Sequence, residues 1–140
     1  LPDHQKNCLI ESLKYMTSGG IYILEDLHTS HPEHQFYKKK GSNYIGPFHL
    51  LLCFEHLIST GKDLDSNTLK DISKKSLFTA NEIEYLFQKI SNINIYKRAT
   101  LPHKCYRCGS TDFNYHEIKC KCGIGIYSPS DSITAVITIR

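Results

Sequence analysis

Apolar and polar positions alternate along this chain in several distinct rhythms. Between residues 3 and 16, Cys8, Leu9, Leu13 and Met16 recur at helical spacing, with Lys6, Glu11 and Lys14 between them. Thr17-Ser18-Gly19-Gly20 ends that pattern, because glycine reaches the left-handed conformation in which helices stop. Ile21-Tyr22-Ile23-Leu24 follows as a continuous apolar run, too short for a helix. It predicts a strand buried on both faces, as in parallel sheets. Residues 28 to 46 have loop character. Pro47 suits a first helical turn, and Phe48 to Ser59 reads as a helix with a strongly apolar face, on which His49 and His56 are expected to pack.

Residues 60 to 76 are polar, with room for a short helix. Thr79-Ala80-Asn81-Glu82 has the form of a capping box and predicts a helix reaching about Ile90, with Ile83, Leu86, Phe87 and Ile90 on one face. Ile93 to Arg98 and Ile133 to Ile139 alternate as strands. The expected architecture is α/β. One domain is formed by residues 1–100 and 131–140, and a small separate unit covers 101–130.

The chemistry concentrates in that small unit. Cys105-Tyr106-Arg107-Cys108-Gly109 and Cys120-Lys121-Cys122-Gly123 each offer two sulfurs from a tight turn, and eleven residues separate the pairs. The glycine behind each pair lets backbone amides approach the sulfurs. Four thiolates in this pattern suit a tetrahedral zinc ion, and a closed four-sulfur site makes the zinc structural. His103 and His116 are then surplus to the coordination and are expected on the surface. The other cysteines, Cys8 and Cys53, stand alone in apolar segments and read as buried hydrophobes.

Composition narrows the picture further. The 140 residues carry a net charge of +3, too weak to argue for nucleic acid. No apolar run approaches the roughly 20 residues that span a bilayer. Clustered, paired cysteines without a signal-peptide pattern suggest metal ligands in a reducing compartment, so a cytoplasmic location is expected. The chain opens on Leu1 and runs directly into a helical pattern, which reads as a fragment or a processed chain. The oligomeric state is open.

Glu25 and Asp26 stand at the C-terminal end of the first strand, where open α/β sheets place their ligands. Two adjacent carboxylates repel each other unless a cation or donors compensate, and magnesium is one compensating ion. The alternative is a carboxylate that caps the next turn beside a solvated one. In the loop that follows, His28 lies nearest the pair, ahead of His31 and His34. Lys38-Lys39-Lys40 reads as a solvated turn.

The stretch Gly19-Gly20-Ile21-Tyr22-Ile23-Leu24-Glu25-Asp26-Leu27-His28-Thr29-Ser30 resembles the fifth strand of a class I S-adenosylmethionine-dependent methyltransferase family. That family includes macrolide-sugar O-methyltransferases and cephalosporin hydroxylase-like proteins. The resemblance covers about residues 1 to 60. It implies a Rossmann-like sheet of which this chain supplies the C-terminal part, with the ribbon inserted in the final hairpin. It further implies a magnesium site at Glu25 and Asp26 and a sugar or small-molecule hydroxyl as acceptor, while His28, closest to the acidic pair, is expected to orient substrate or assist proton transfer. The family's glycine-rich cofactor loop and its Asp-Gly-Ser-His motif have no counterpart in these residues, so the 140-residue chain is expected to be inactive alone and not to bind S-adenosylmethionine. The ribbon is not part of the family's common pattern. A competing reading is a binding module, in which Lys104, Arg107, Lys119 and Lys121 with Tyr106, Phe113 and Tyr115 contact nucleic acid or protein. A third is a non-catalytic methyltransferase-like scaffold.

Overall fold

The computed structural model describes residues 2–30, 45–97, 101–126 and 132–140. The expectations for His31, His34 and Lys38-Lys39-Lys40 fall outside these residues. The chain forms two compact units, Leu1–Tyr96 with Ile133–Arg140, and Lys97–Ser132.

The first unit is a mixed α/β body. Its elements are α1 (Pro2–Lys14), β1 (Ile21–Leu24), a 3-10 turn (Leu27–Ser30), α2 (Pro47–Ser59), α3 (Ser66–Ser73), α4 (Ala80–Lys89), β2 (Ile90–Lys97) and β5 (Ile133–Ile139). The three strands form one sheet in the order β1-β5-β2. β1 runs antiparallel to β5, with Ile21 opposite Thr138, Tyr22 opposite Ile137, Ile23 opposite Val136 and Leu24 opposite Ala135. On the other side, the Arg140 amide donates to the Lys89 carbonyl at 2.8 Å and the Ser91 hydroxyl to the Thr138 carbonyl at 3.1 Å. Partners ascend on one strand as they descend on the other, so β2 is also antiparallel to β5.

The pleat of β5 decides which face is core. Ile133, Ala135, Ile137 and Ile139 are buried, while Thr134, Val136 and Thr138 between them are half-buried. The buried side joins Leu9 and Leu13 of α1, Leu50, Leu51 and Phe54 of α2, and Ile83 and Leu86 of α4 in one cluster. Cross-strand partners share a face. Leu24 and Tyr22 therefore turn inward with Ala135 and Ile137, and Ile21 and Ile23 turn outward, 62% and 56% exposed. The expectation of a β1 buried on both faces is overturned. Its four apolar residues belong to an antiparallel edge strand, covered on one face among the described residues.

Other expectations also shift. Cys8 is exposed, because the inward face of α1 is taken by Leu9, Ile10 and Leu13. Cys53 is half-buried against the core, and burial pushes its thiol pKa up. His49 and His56 are exposed, on the side of α2 opposite Leu50, Leu51, Phe54 and Leu57. β2 begins at Ile90, directly where α4 ends, and not at Ile93.

The capping box at Thr79 and Glu82 forms as read, and α3 has a cap that was not anticipated. Asp65 caps α3 by accepting from the Thr68 amide at 2.7 Å. Thr79 accepts from the Glu82 amide at 3.2 Å, and Glu82 accepts in return from the Thr79 amide at 2.7 Å. Lys6 of α1 ties this box to the first helix. Its ammonium lies 2.8 Å from the Glu82 carboxylate, donates to the Leu77 carbonyl at 2.7 Å and sits 5.4 Å from the Phe78 ring centre. At Glu82 partial burial works against the charged form, but Lys6 and the Thr79 amide outweigh it and hold the pKa below the usual glutamate value.

Thr79→Ala should destabilise the protein by about 1 kcal/mol. Glu82→Gln should cost a similar amount near neutral pH. A carboxylate whose folded pKa is depressed contributes its stability above the unfolded value and loses it as pH falls through the folded one. Denaturant titrations at neutral and acid pH should therefore show the gap between wild type and Glu82→Gln closing on acidification.

Candidate metal centre

The second unit is built around sulfur. β3 (Phe113–Asn114) and β4 (Lys119–Cys120) form a short antiparallel hairpin with Phe113 opposite Cys120 and Asn114 opposite Lys119. The Asn114 side chain closes its turn by accepting from the amides of His116 at 3.1 Å and Glu117 at 3.2 Å. Ile118 leaves that turn at φ 54°, a left-handed conformation that costs a branched residue about 1–2 kcal/mol. The Ile118 carbonyl accepts from the Ile126 amide at 3.1 Å, which draws the end of the described ribbon back across the hairpin.

Each cysteine pair occupies a tight turn. The Gly109 amide donates to the Cys105 carbonyl at 2.9 Å, and the Gly123 amide to the Cys120 carbonyl at 2.8 Å. Both glycines have positive φ, 71° and 85°, where a side chain would be strained. The first turn is fastened to the hairpin by the Cys105 amide, which donates to Ser110 at 2.8 Å, and by the Lys121 amide, which donates to Asp112 at 3.1 Å.

The turns bring the sulfurs of Cys105, Cys108, Cys120 and Cys122 within 4.8 Å of one another. Cys105 Sγ lies 3.8 Å from Cys122 Sγ, and Cys108 Sγ lies 3.4 Å from Cys120 Sγ. A tetrahedral ion with sulfur ligands at about 2.3 Å places those sulfurs about 3.8 Å apart. The four cysteines are thus spaced to hold a metal ion such as zinc. Cys105 and Cys120 are buried beside Ile126, with Phe113 and Ile124 packed against them, while Cys108 and Cys122 are exposed. His103 and His116 are exposed and stand outside the tetrad.

The electrostatics of the thiols favour a cation. The Cys108 amide hydrogen-bonds the Cys105 sulfur and, with the Arg107 amide and the thiols of Cys120 and Cys108, lowers its pKa to about 7 against the opposing effect of burial. At Cys120 the Cys122 amide also acts downward, but burial and the sulfurs of Cys108, Cys105 and Cys122 push the pKa up to about 12. Four negative sulfurs in contact repel one another, and a divalent ion relieves that repulsion by taking the place of their protons.

Against family models, curated proteins and solved structures, the chain finds no match.

The acidic pair lies in the first unit. Glu25 and Asp26 are both exposed just past β1, and they form no three-ligand group with another described histidine, cysteine or carboxylate. Asp26 has φ 56°, a left-handed backbone. Its carbonyl accepts from three donors: Gln5 Nε2 at 2.9 Å, the Thr29 amide at 3.0 Å and the Thr29 hydroxyl at 2.8 Å. Gln5 also donates to the Thr29 hydroxyl at 3.2 Å, so α1 and the 3-10 turn together hold this bend. His28 is half-buried in the same turn.

Ser30, buried, gives its hydroxyl proton to the Leu27 carbonyl at 3.0 Å and accepts from the Phe48 amide at 3.2 Å. It thereby supplies the side-chain cap that Gly46 cannot offer to α2. Sequence reasoning missed Gln5 and Ser30. Their partners lie 21 and 18 residues away, and no local pattern marks such contacts.

Purified protein should contain about one equivalent of tightly held metal per chain by elemental analysis, and binding should weaken as pH is lowered because protons compete for the thiolates. Cys108→Ser should increase amide exchange across residues 103–124 and leave the strand at 21–24 protected.

Proposed function

We propose that this chain is the C-terminal portion of a metal-dependent S-adenosylmethionine O-methyltransferase acting on a sugar or small-molecule hydroxyl, with one structural zinc in its ribbon. The observation that carries the reading is the sheet β1-β5-β2, with Glu25 and Asp26 at the C-terminal end of its edge strand. The ribbon is the chain segment joining β2 to β5, two strands that are themselves hydrogen-bonded neighbours. An insertion there leaves the sheet continuous, in keeping with a final hairpin that has acquired a zinc-stabilised extension.

In this reading Glu25 and Asp26 hold magnesium through their carboxylates. Bound there, the ion lowers the pKa of the acceptor hydroxyl. Magnesium takes six oxygens in near-octahedral geometry, and two carboxylates from this chain leave room for a further protein ligand and for the acceptor. The clamp of Gln5 and Thr29 on the Asp26 carbonyl sets the direction in which that side chain leaves the backbone. His28, two residues further on, orients the acceptor or assists its proton transfer. The zinc is held by Cys105, Cys108, Cys120 and Cys122, whose closed set of four thiolates makes it structural and not catalytic. The ribbon's own core, Cys105, Cys120 and Ile126 with Phe113 and Ile124, is too small to hold its fold without such a cross-link.

A second reading has one observation in its favour. Tyr106 and Tyr115 are 73% and 72% exposed, so these aromatics are not the ribbon's core. A binding module would present them to a partner. Lys104, Arg107, Lys119 and Lys121 are exposed around them, against Asp112 and Glu117. A zinc tetrathiolate adds roughly two negative charges, which brings the described ribbon near neutrality and favours a protein partner over a polyanion.

The test is methyl transfer by the enzyme that includes the preceding half of the domain. Asp26→Asn should lower activity by at least about 100-fold, since an amide does not offset the cation's charge. Excess chelator should act likewise, with magnesium restoring the rate. Full activity under either condition removes the metal role. The 140-residue chain should show no stoichiometric S-adenosylmethionine binding by calorimetry, and binding there would overturn the division of labour proposed.

A further inference from the structure

Two sulfur–sulfur contacts in the tetrad cross from one turn to the other. Four cysteines allow three ways of forming two disulfides. Contacts below 4 Å join Cys105 to Cys122 and Cys108 to Cys120, each linking one turn to the other. In both pairs one residue is exposed, Cys122 or Cys108, and its partner is buried, Cys105 or Cys120. A soluble oxidant would approach each pair from its exposed residue, with the buried residue behind it. Peroxide-sensitive sites commonly have this arrangement, an accessible thiolate next to a resolving cysteine.

We propose that the ribbon is a redox-responsive clasp, in which peroxide releases the metal and leaves two disulfides between the turns, Cys105–Cys122 and Cys108–Cys120. The proposal rests on the zinc reading of the tetrad. In each half of the reaction an exposed thiolate attacks a peroxide oxygen; the O–O bond breaks, sulfur is oxidised to the sulfenic acid, and the departing oxygen leaves as water after taking up a proton. The buried thiolate then attacks the sulfenic sulfur, the S–O bond breaks, and protonated hydroxide leaves as the second water. Two peroxides and four protons are consumed for each zinc tetrathiolate, which yields two disulfides, one zinc ion and four waters.

The pairing determines what happens to the fold. Disulfides within each turn would cut the link that the metal makes between Cys105–Gly109 and Cys120–Gly123. Disulfides across the turns replace that link in kind, so the ribbon loses its ion and keeps its closure.

The sequence makes the pairing directly readable. Trypsin cleavage after Lys104, Arg107, Lys119 and Lys121 places each of the four cysteines on its own peptide. The experiment uses the zinc-loaded chain carrying Cys8→Ser, which removes the exposed thiol outside the ribbon. The protein is treated with hydrogen peroxide while zinc release is followed with a chromophoric chelator, then alkylated, digested without reduction and mapped by mass. Expected are one zinc released per chain, a mass decrease of four hydrogens, and linked peptides carrying Cys105 with Cys122 and Cys108 with Cys120. Amide exchange over 105–124 should stay slower in the oxidised ribbon than in the reduced, metal-free one, and thiol reductant with zinc should restore the starting state. Disulfides within the turns, sulfinic or sulfonic acids as the main products, or zinc retained through oxidation would each overturn the proposal. Protein that purifies without metal and takes up none would overturn the zinc reading, and the clasp with it. Zinc-loaded protein that oxidises with the wrong pairing leaves the zinc reading standing and removes only the clasp.

Discussion

The register between β1 and β5 is the constraint on which the α/β body depends. Side chains alternate across a sheet with a period of two, so a slip of one residue moves every side chain to the opposite face. With Leu24 opposite Ala135 and Tyr22 opposite Ile137, the buried face of β5 continues onto β1, and the strand ends with Glu25 and Asp26 in solvent. A slip would drive Ile21 and Ile23 inward, expose Leu24 and re-aim the acidic pair. The backbone bonds just before the strand oppose it: the Gly19 amide donates to Ile139 and the Ile139 amide to Gly20, both at 2.9 Å. Gly20 has little room for a side chain, since a Cβ there would lie 3.0 Å from the Thr17 carbonyl and 3.1 Å from the Met16 methyl. The Gly-Gly turn thus anchors the start of the ladder as well as ending α1.

The cysteine ribbon is governed by different physics. Its hairpin is two residues long on each side, and isolated two-stranded hairpins are marginal in water. What organises it is convergence of sulfurs from two turns, each made possible by a glycine at positive φ. The body draws on apolar burial across many elements, whereas the ribbon concentrates its stability at one point.

The features legible in the sequence were those whose cause is local. The Thr79 and Glu82 box needs only residues three apart, and the alternation of Ile133, Ala135, Ile137 and Ile139 declares its own buried face. The tetrad was legible for the same reason, since each half is a short turn with its glycine. What escaped reading depends on distant partners. Nothing within Ile21-Tyr22-Ile23-Leu24 says which face β5 will leave open. Cys8, His49 and His56 sit near apolar neighbours in sequence, yet helical geometry turns them away from the core. Gln5 looks like an ordinary polar position on α1 until the Asp26 carbonyl arrives beside it.

The hydroxyl of Ser30 joins two separate parts of the fold. By accepting from the Phe48 amide it fastens the chain before residue 31 to the helix that begins at Pro47, and the bridge from Ile45 to Ser76 holds the far side. The chain is thus tied down at Ser30 and again at Ile45 by contacts among the described residues. Because the Asp26 carbonyl takes its donors from Gln5 and Thr29, exchanging the residues between Ser30 and Ile45 should leave that bend in place.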